Sequence, residues 1–450
     1  MKYDAIIIGF GKAGKTLAGA LAKQGKQVAL IEKSAQMYGG TCINVGCIPS
    51  KSLVTSSEES ARHSGDSLGE KAARYAKAID EKRRVTAFLR EKNYNKLNDL
   101  ENVTIYDGVG RFISATEVEI VTQPGTEVIE GERIFINTGA TAIQLAIPGL
   151  EGNPHVYTSE TLMDEDKLPE RLTLIGAGYI GMEFASMYTN FGSRVTVLQD
   201  GTTFLPREDR DVAAMIRTIL EKRGVRFILG AKVKSIEGGN VHYELDGRET
   251  TQEGDAILVA TGRKANTESL QAENAGVELT SRGAVKVDES LKTTAPNIWA
   301  MGDVNGGPQF TFVSLDDYRI VLGQLTEQTT EMDTNRKNLP YSVFMDTPLS
   351  RVGITEAQAA EQNIPVRILK LQAAAVPKAQ VLKKTDGFLK AIVHKETGKI
   401  LGAALLCPES YEMINTVKLA MDLDADYTLL RDQIYTHPTM TEAFNDLFAL

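Results

Sequence analysis

The chain has 450 residues, of which 42% are hydrophobic and 24% charged. That is too long for one ordinary core and predicts two to four soluble domains. A net charge of −9 argues against a nucleic-acid partner or an anionic membrane surface. No apolar run approaches the roughly 20 residues of a membrane span. The apolar run at residues 5–8 leads straight into glycines, Lys12 and Lys15, unlike a signal peptide. Three cysteines make no secreted disulfide scaffold. A cytoplasmic protein without nucleic-acid or membrane partners is expected.

Residues 3–8 predict a buried strand, followed by Gly9-Phe10-Gly11-Lys12-Ala13-Gly14, a helix to about Lys23 and a second strand at 28–32. This is a dinucleotide fingerprint in its full strand–turn–helix context. The first glycine makes the turn, the second admits a pyrophosphate and the third lets helix pack on strand. The helix N-terminus faces the pyrophosphate, and Glu32, 23 residues after Gly9, can accept from ribose hydroxyls.

Cys42 and Cys47 follow in Gly39-Gly40-Thr41-Cys42-Ile43-Asn44-Val45-Gly46-Cys47-Ile48-Pro49-Ser50-Lys51. On a continuous helix five residues rise about 7.5 Å, beyond the roughly 4.4–6.8 Å between bridged Cα atoms. A redox pair therefore requires the segment to turn, with Gly46 permitting it. Two buried thiols on a helix are the alternative reading. Residues 50–96 predict helix, with Ala72, Tyr75, Ile79, Phe88 and Leu89 on the apolar side. Residues 103–137 predict an antiparallel excursion broken by Gly108, Gly110, Pro124-Gly125 and Gly131, closing on a strand that runs to Ala140.

A second copy begins at the strand 171–175, with Gly176-Ala177-Gly178-Tyr179-Ile180-Gly181, a helix to about Asn190 and a strand at 194–198. Gln199 lies 23 residues after Gly176, the interval of the first copy. An internal repeat of nucleotide-binding units implies two cofactors exchanging electrons. Asp200 should repel a 2′-phosphate, and the nearest arginine is Arg207, which favours NADH over NADPH. Two further strands enter glycine turns at Thr261-Gly262-Arg263 and Met301-Gly302-Asp303; Asp303 suits ribityl hydroxyls or a helix cap. From about residue 336 an antiparallel sheet (341–344, 366–371 and a hairpin of 388–394 with 400–407) and a helix at 411–423 predict an α+β third domain. It carries Thr436-His437-Pro438-Thr439-Met440-Thr441-Glu442; a lone histidine there is more often structural.

Together these motifs resemble the class I flavoprotein pyridine nucleotide-disulfide oxidoreductases, whose members include dihydrolipoamide dehydrogenase, glutathione reductase and mercuric reductase. The resemblance covers essentially the whole chain. It implies an α/β architecture with FAD on residues 1–142 and 263–335, NAD(P)H on 143–262 and a dimerisation domain over 336–450. It implies Cys47 beside the flavin, Cys42 as the interchange thiol, and His437, oriented by Glu442, donated to the partner subunit of a homodimer with shared active sites. Lys51 and Glu183 are expected as a charged pair at the flavin, with Tyr179 covering the ring until nicotinamide displaces it. The flavin site implied comprises Gly9, Gly11, Gly14, Glu32, Thr41, Lys51, Gly110, Thr138, Gly139, Arg263, Gly302 and Asp303. The nicotinamide nucleotide is assigned Gly176, Gly178, Gly181, Gln199, Asp200 and Gly262. Helix dipole and Lys51 both favour a Cys47 thiolate, and imidazole suits proton exchange at Cys42. No resident metal is expected.

There is no additional cysteine pair near either end, as mercuric and large thioredoxin reductases require, and Cys407 is read as core. Asp200 disfavours the glutathione type. The runs Gly9-Phe10-Gly11-Lys12-Ala13-Gly14-Lys15-Thr16-Leu17-Ala18, Met37-Tyr38-Gly39-Gly40, Phe204-Leu205-Pro206-Arg207-Glu208-Asp209-Arg210-Asp211, Phe310-Thr311-Phe312-Val313-Ser314-Leu315-Asp316-Asp317-Tyr318-Arg319 and Leu430-Arg431-Asp432-Gln433-Ile434 resemble the RclA branch. That branch is associated with resistance to reactive chlorine species and includes hypothiocyanous acid reductases. A small oxidant is the substrate this implies. Dihydrolipoamide dehydrogenase is the alternative, and reduction of copper(II) or another disulfide the third reading. A redox-sensing flavoprotein without turnover is the reading from another class.

Overall fold

Strand Lys2–Ile8 reads as an almost unbroken apolar run because both of its faces are covered, the pattern of a parallel-sheet interior. Ala5 and Ile7 enter one core with Leu17, Leu21 and Ile320, while Ile6 and Ile8 enter another with Ile120, Ile134 and Val285. The computed structural model describes residues 1–63, 65–123, 125–326 and 333–450, so Pro124 of the expected Pro124-Gly125 turn lies outside the described residues.

The chain divides into two compact units. The first takes in Met1–Ser52, Ala78–Gln144 and Gly262–Asn335. Its main sheet runs in the order Val103–Asp107, Val28–Glu32, Lys2–Ile8, Thr126–Ile136, Glu117–Val121, Val109–Phe112, with Ile298–Ala300 also pairing in parallel with Thr126–Ile136. Helices Lys12–Lys23 and Thr311–Leu325 contribute to one of the two cores.

The expected excursion needs correction here. Val103–Asp107 is parallel to Val28–Glu32, and the three antiparallel strands extend this same sheet instead of leaving it. Gly131, read as a break, lies inside the 11-residue strand Thr126–Ile136. A Cβ there would stand 2.7 Å from Ile6 Cδ1, so the glycine admits a neighbouring side chain and ends nothing. The expected long helix is two, Cys47–Ala61 and Leu68–Asn98, and the first begins earlier than expected. Tyr75 and Ile79 are buried as expected, but Phe88 is 63% exposed.

The second unit takes in Leu53–Lys77, Leu145–Thr261 and Arg336–Leu450. Its parallel sheet has the order Arg226–Leu229, Arg194–Gln199, Arg171–Ile175, Ala256–Val259, Val156–Tyr157. A three-stranded meander over Lys232–Glu237, Asn240–Leu245 and Arg248–Glu253 was not expected; its last strand is largely exposed and polar, without an apolar alternation to reveal it. The C-terminal sheet is antiparallel, in the order Tyr341–Val343, Leu349–Gly353, Ile400–Leu406, Phe388–His394, Val366–Gln372. Helices Ser410–Asp422 and Ala443–Ala449 share one core with this sheet, and Cys407 is buried in it. No helix among the described residues is long and apolar enough to cross a membrane.

Within this unit a buried cation joins the loop at 204–211 to the C-terminal sheet. The Lys390 side chain is 1% exposed, and its ammonium meets Asp209 Oδ2 at 3.2 Å, Asp211 Oδ1 at 2.5 Å and Glu356. Three carboxylates close enough to gather a metal ion instead share the Lys390 ammonium. Lys390→Met should lower the free energy of unfolding by about 3 kcal/mol, because it strands carboxylates that remain partly buried. Urea denaturation measures this, and a loss below about 0.5 kcal/mol, as for an exposed pair, would refute it.

Candidate active site

The cysteine segment is pressed against the first fingerprint through backbone. Gly40 has φ +85°, and a Cβ on it would stand 2.7 Å from Gly11 Cα. Asn44 Nδ2 donates to the carbonyls of Tyr38 at 2.9 Å and Gly40 at 3.0 Å, while Arg90 Nε donates to its Oδ1 at 2.9 Å. The one-turn helix Thr41–Asn44 carries Cys42, and Cys47 opens the helix Cys47–Ala61. Between them the helix breaks at Val45 and Gly46, where a Cβ on Gly46 would lie 2.9 Å from the Thr41 carbonyl oxygen. The break folds out the rise that would separate the sulfurs, and the two side chains share a hydrogen bond. Both are present as thiols.

The two thiols differ in chemistry. The hydrogen bond to Cys47, then burial, then the negative charge of Cys47 push the Cys42 thiol well above its ordinary pKa, with Thr311 and Lys15 opposing. The proton therefore stays on Cys42 when one is lost, and the first turn of a helix favours thiolate on Cys47. Lys51 sits one turn further along that helix.

Four residues around the dithiol were given no role there from sequence. Thr311, at the start of helix Thr311–Leu325, places Oγ1 3.6 Å from Cys47 Sγ. Phe310 and Phe312 flank it with rings stacked at 5.0 Å. Lys15 donates to the Gly39 carbonyl at 3.0 Å, and burial, then Lys12, push its ammonium down to about 8. A threonine between two phenylalanines at a helix start was the available signal; only the fold brings it to the cysteines.

The remaining first-unit residues converge around the fingerprint. Helix Lys12–Lys23 has Gly11 as N-cap, and its first-turn amides are taken up from other elements: Ala13 N donates to Ser314 Oγ at 3.2 Å. Glu32 accepts from Phe10 N at 3.0 Å and Ser34 N at 3.3 Å. Asn137 Oδ1 accepts from Gly14 N at 2.9 Å, and its Nδ2 donates to the Met301 carbonyl at 2.6 Å. Thr138 Oγ1 donates to the Asn266 carbonyl at 2.7 Å, Gly139 adopts φ +72°, and Arg263 donates to the Ala140 carbonyl. Burial, eased by Arg263 and reinforced by Asp317, raises the Asp303 carboxyl. Ligand hydroxyls fit such a carboxylate. Gly110 is enclosed by Ile8 and Ile31, reason enough for a glycine there, and Gly302 has Ser314 Oγ 2.9 Å from where its Cβ would be. Gly262 opens the last segment of this unit.

The second unit repeats the device. Gln199 Oε1 accepts from Ala177 N at 2.8 Å, the counterpart of Glu32 on Phe10 N. Helix Tyr179–Phe191 is uncapped by any side chain at its Gly178 N-cap, and a Cβ on Gly178 would meet open space, room for a pyrophosphate. Gly181 packs on the Gly176 carbonyl, and Asp200 is exposed beside Gln199. Glu183 is buried, and its Oε1 accepts from Phe344 N at 2.9 Å. Also in this unit, Glu442 Oε2 lies 2.8 Å from His437 Nδ1, and its Oε1 accepts from Thr439 N at 3.3 Å. A carboxylate only accepts, so Nδ1 carries the proton and Nε2 is left to exchange one. The His437 side chain is 71% exposed, open to a partner.

Residues 3–317 match the pyridine nucleotide-disulphide oxidoreductase profile, and residues 339–448 match the dimerisation domain of the same group. The chain belongs to this family. It is an oxidoreductase whose family uses FAD and NAD(P)H, and the two glycine fingerprints, each between a strand and a helix, fit those nucleotides. It is 50% identical over 449 residues to the probable pyridine nucleotide-disulfide oxidoreductase RclA of Escherichia coli, covering 100% of this chain and 99% of that one. Dihydrolipoyl dehydrogenase of Geobacillus stearothermophilus is 32% identical (98% and 94% covered), and mercuric reductase of Bacillus cereus 33% (98% and 70%). Among solved structures, the Cu(II) complex of HOCl-induced flavoprotein disulfide reductase RclA from Escherichia coli superposes with a TM-score of 0.94 over 100% of this chain and 99% of that one, at 50% identity.

The raised Cys42 thiol has a measurable consequence. After anaerobic reduction, iodoacetamide labelling of Cys42, mapped by mass spectrometry, should rise about tenfold per pH unit between about pH 7 and pH 9. A rate already level below about pH 8 would mean that Cys42 is ionised there.

Proposed function

We propose that this oxidoreductase uses NADH to reduce a small electrophilic oxidant, hypothiocyanous acid, to thiocyanate through Cys42 and Cys47. One observation carries the choice: full-length identity to RclA is 50%, against 32% to a dihydrolipoyl dehydrogenase. The RclA structure is described as HOCl-induced, which associates that relative with oxidant stress. The dithiol adds chemical support, since Cys42 is partly buried and a small oxidant asks little room.

FAD held by the first unit would supply the two-electron link between nicotinamide and the Cys42–Cys47 disulfide. The protein's residues do the rest. Cys42 gives up its proton to His437 Nε2 of the partner subunit and attacks the sulfur of HOSCN. A Cys42–S–SCN bond forms, and the oxygen leaves as water with the proton returned by the imidazole. Cys47 thiolate then attacks Cys42 Sγ, forming the disulfide and releasing thiocyanate. Glu442 holds the imidazole, and Thr311 donates to the Cys47 thiolate. This reading assigns Lys51 and Glu183 the charges that serve the flavin, and Tyr179 the cover over the nicotinamide position until the nucleotide displaces it.

In this reading residues 1–142 and 263–335 hold FAD through Gly9, Gly11, Gly14, Glu32, Thr41, Thr138, Gly139, Arg263, Gly302 and Asp303. Residues 143–262 hold NADH, with Asp200 disfavouring NADPH, and residues 336–450 form the homodimer. Copper(II) reduction is the second reading, favoured by the RclA structure having been solved as a Cu(II) complex. A thiol pair suits a soft metal substrate.

NADH oxidation by the purified holoenzyme, measured with HOSCN, dihydrolipoamide's disulfide lipoamide, oxidised glutathione and Cu²⁺, separates these readings. The expected order puts HOSCN first in kcat/KM by at least about 100-fold, a transition-state difference of about 2.7 kcal/mol. Faster turnover of lipoamide would replace the proposal with the dehydrogenase reading.

A further inference from the structure

The loop at 204–211 does more than anchor Lys390. Arg210 Nη1 donates to the Phe204 carbonyl at 3.0 Å and Nη2 to the Leu205 carbonyl at 2.7 Å, with Glu208's own carbonyl also in reach. Leu205 is held at φ +42°. The loop so clamped turns Glu208 inward, where its side chain is fully buried. Tyr179 Oη donates to Glu208 Oε1 at 2.5 Å, and Tyr341 Oη donates to the same oxygen at 2.6 Å. Arg351 Nη1 reaches Glu208 Oε2 at 3.3 Å. The two phenol oxygens are 3.1 Å apart, and their rings lie 5.4 Å apart, tilted by 33°. A buried carboxylate thus takes two phenolic donors on one oxygen and a guanidinium on the other.

We propose that Glu208, fixed by Arg351 and Tyr341, is a latch on Tyr179 that sets how much nicotinamide binding is opposed by displacement of that ring. The proposal rests on the reading of Tyr179 as the residue that nicotinamide displaces. Tyr179 opens helix Tyr179–Phe191 between the second and third fingerprint glycines, Gly178 and Gly181, so its ring moves about one side-chain torsion. Any such movement must break a charge-assisted O–H···O⁻ bond shielded from water. Glu208, Tyr341 and Arg351 touch neither cofactor nor substrate in this account; they are positioning residues. The residues come from two separate stretches of the second unit, so the latch ties helix Tyr179–Phe191 and the loop at 204–211 to the first two strands of the C-terminal sheet.

Anaerobic stopped-flow reduction of the bound FAD by NADH tests this in the holoenzyme. Glu208→Gln and Tyr179→Phe should each lower the NADH concentration for half-maximal flavin reduction by about fivefold. The double variant should lie within about twofold of either single one, because both remove the same bond. Reoxidation of pre-reduced Glu208→Gln enzyme by oxidant should stay at the parental rate, which general damage to the fold would not allow. If Glu208→Gln is too unstable to purify, Tyr179→Phe, which strands no charge, carries the test alone. Unchanged or weaker NADH dependence in Glu208→Gln and Tyr179→Phe, with Tyr179→Ala altering it, would overturn the latch and leave the gate. No change in Tyr179→Ala would overturn the gating role itself.

Discussion

The hydrogen bond between Cys42 and Cys47 exists only because the helix fails at Val45 and Gly46. A continuous helix would carry the sulfurs apart, whereas two short segments meeting at a sharp break bring them together. The same break makes Cys47 the first residue of a new helix. Geometry and electrostatics are therefore set by one feature: the residue that begins the helix is favoured as thiolate, and the residue before the break keeps its proton. That asymmetry is what a two-thiol relay needs, one sulfur ready to exchange electrons and the other waiting for a base. The backbone contact of Gly40 on Gly11 then fixes the pair beside the first nucleotide fold.

The two nucleotide folds reuse one contact with different chemistry. Glu32 and Gln199 stand at the same interval after the first glycine, and each accepts from the amide that follows that glycine. The contact braces the turn in both. Replacing the carboxylate by an amide keeps the brace and removes a charge, so Gln199 can hold the loop without defining the ribose.

Much of this was legible in the sequence because the signals are local. The fingerprints, the helix end at Lys23, the second helix end to within a residue of Phe191 and the C-terminal hairpin follow from glycine placement and apolar runs. What failed depended on partners remote in sequence. Gly131 reads as a turn residue until Ile6 is placed against it, and Val103–Asp107 cannot be assigned its direction until Val28–Glu32 lies alongside. Phe88 follows the apolar spacing of its helix yet stands exposed. In the site, cysteines, histidine and glutamate announce themselves by motif. Thr311 and Glu208 do not, since a hydroxyl and a carboxylate are common and only the tertiary fold shows what they face. The run at 204–211 carried a resemblance without a role, and its role is a network made with Tyr179, Tyr341, Arg351 and Lys390.

The division of labour between the two thiols is the central claim, and anaerobic titration of the single-cysteine variants with NADH tests it most directly. A thiolate against oxidised flavin gives a long-wavelength charge-transfer absorbance. Cys42→Ser should retain that band, because Cys47 remains at the helix start, and Cys47→Ser should lose it. A band that survives in Cys47→Ser and vanishes in Cys42→Ser would reverse the assignment and contradict the account.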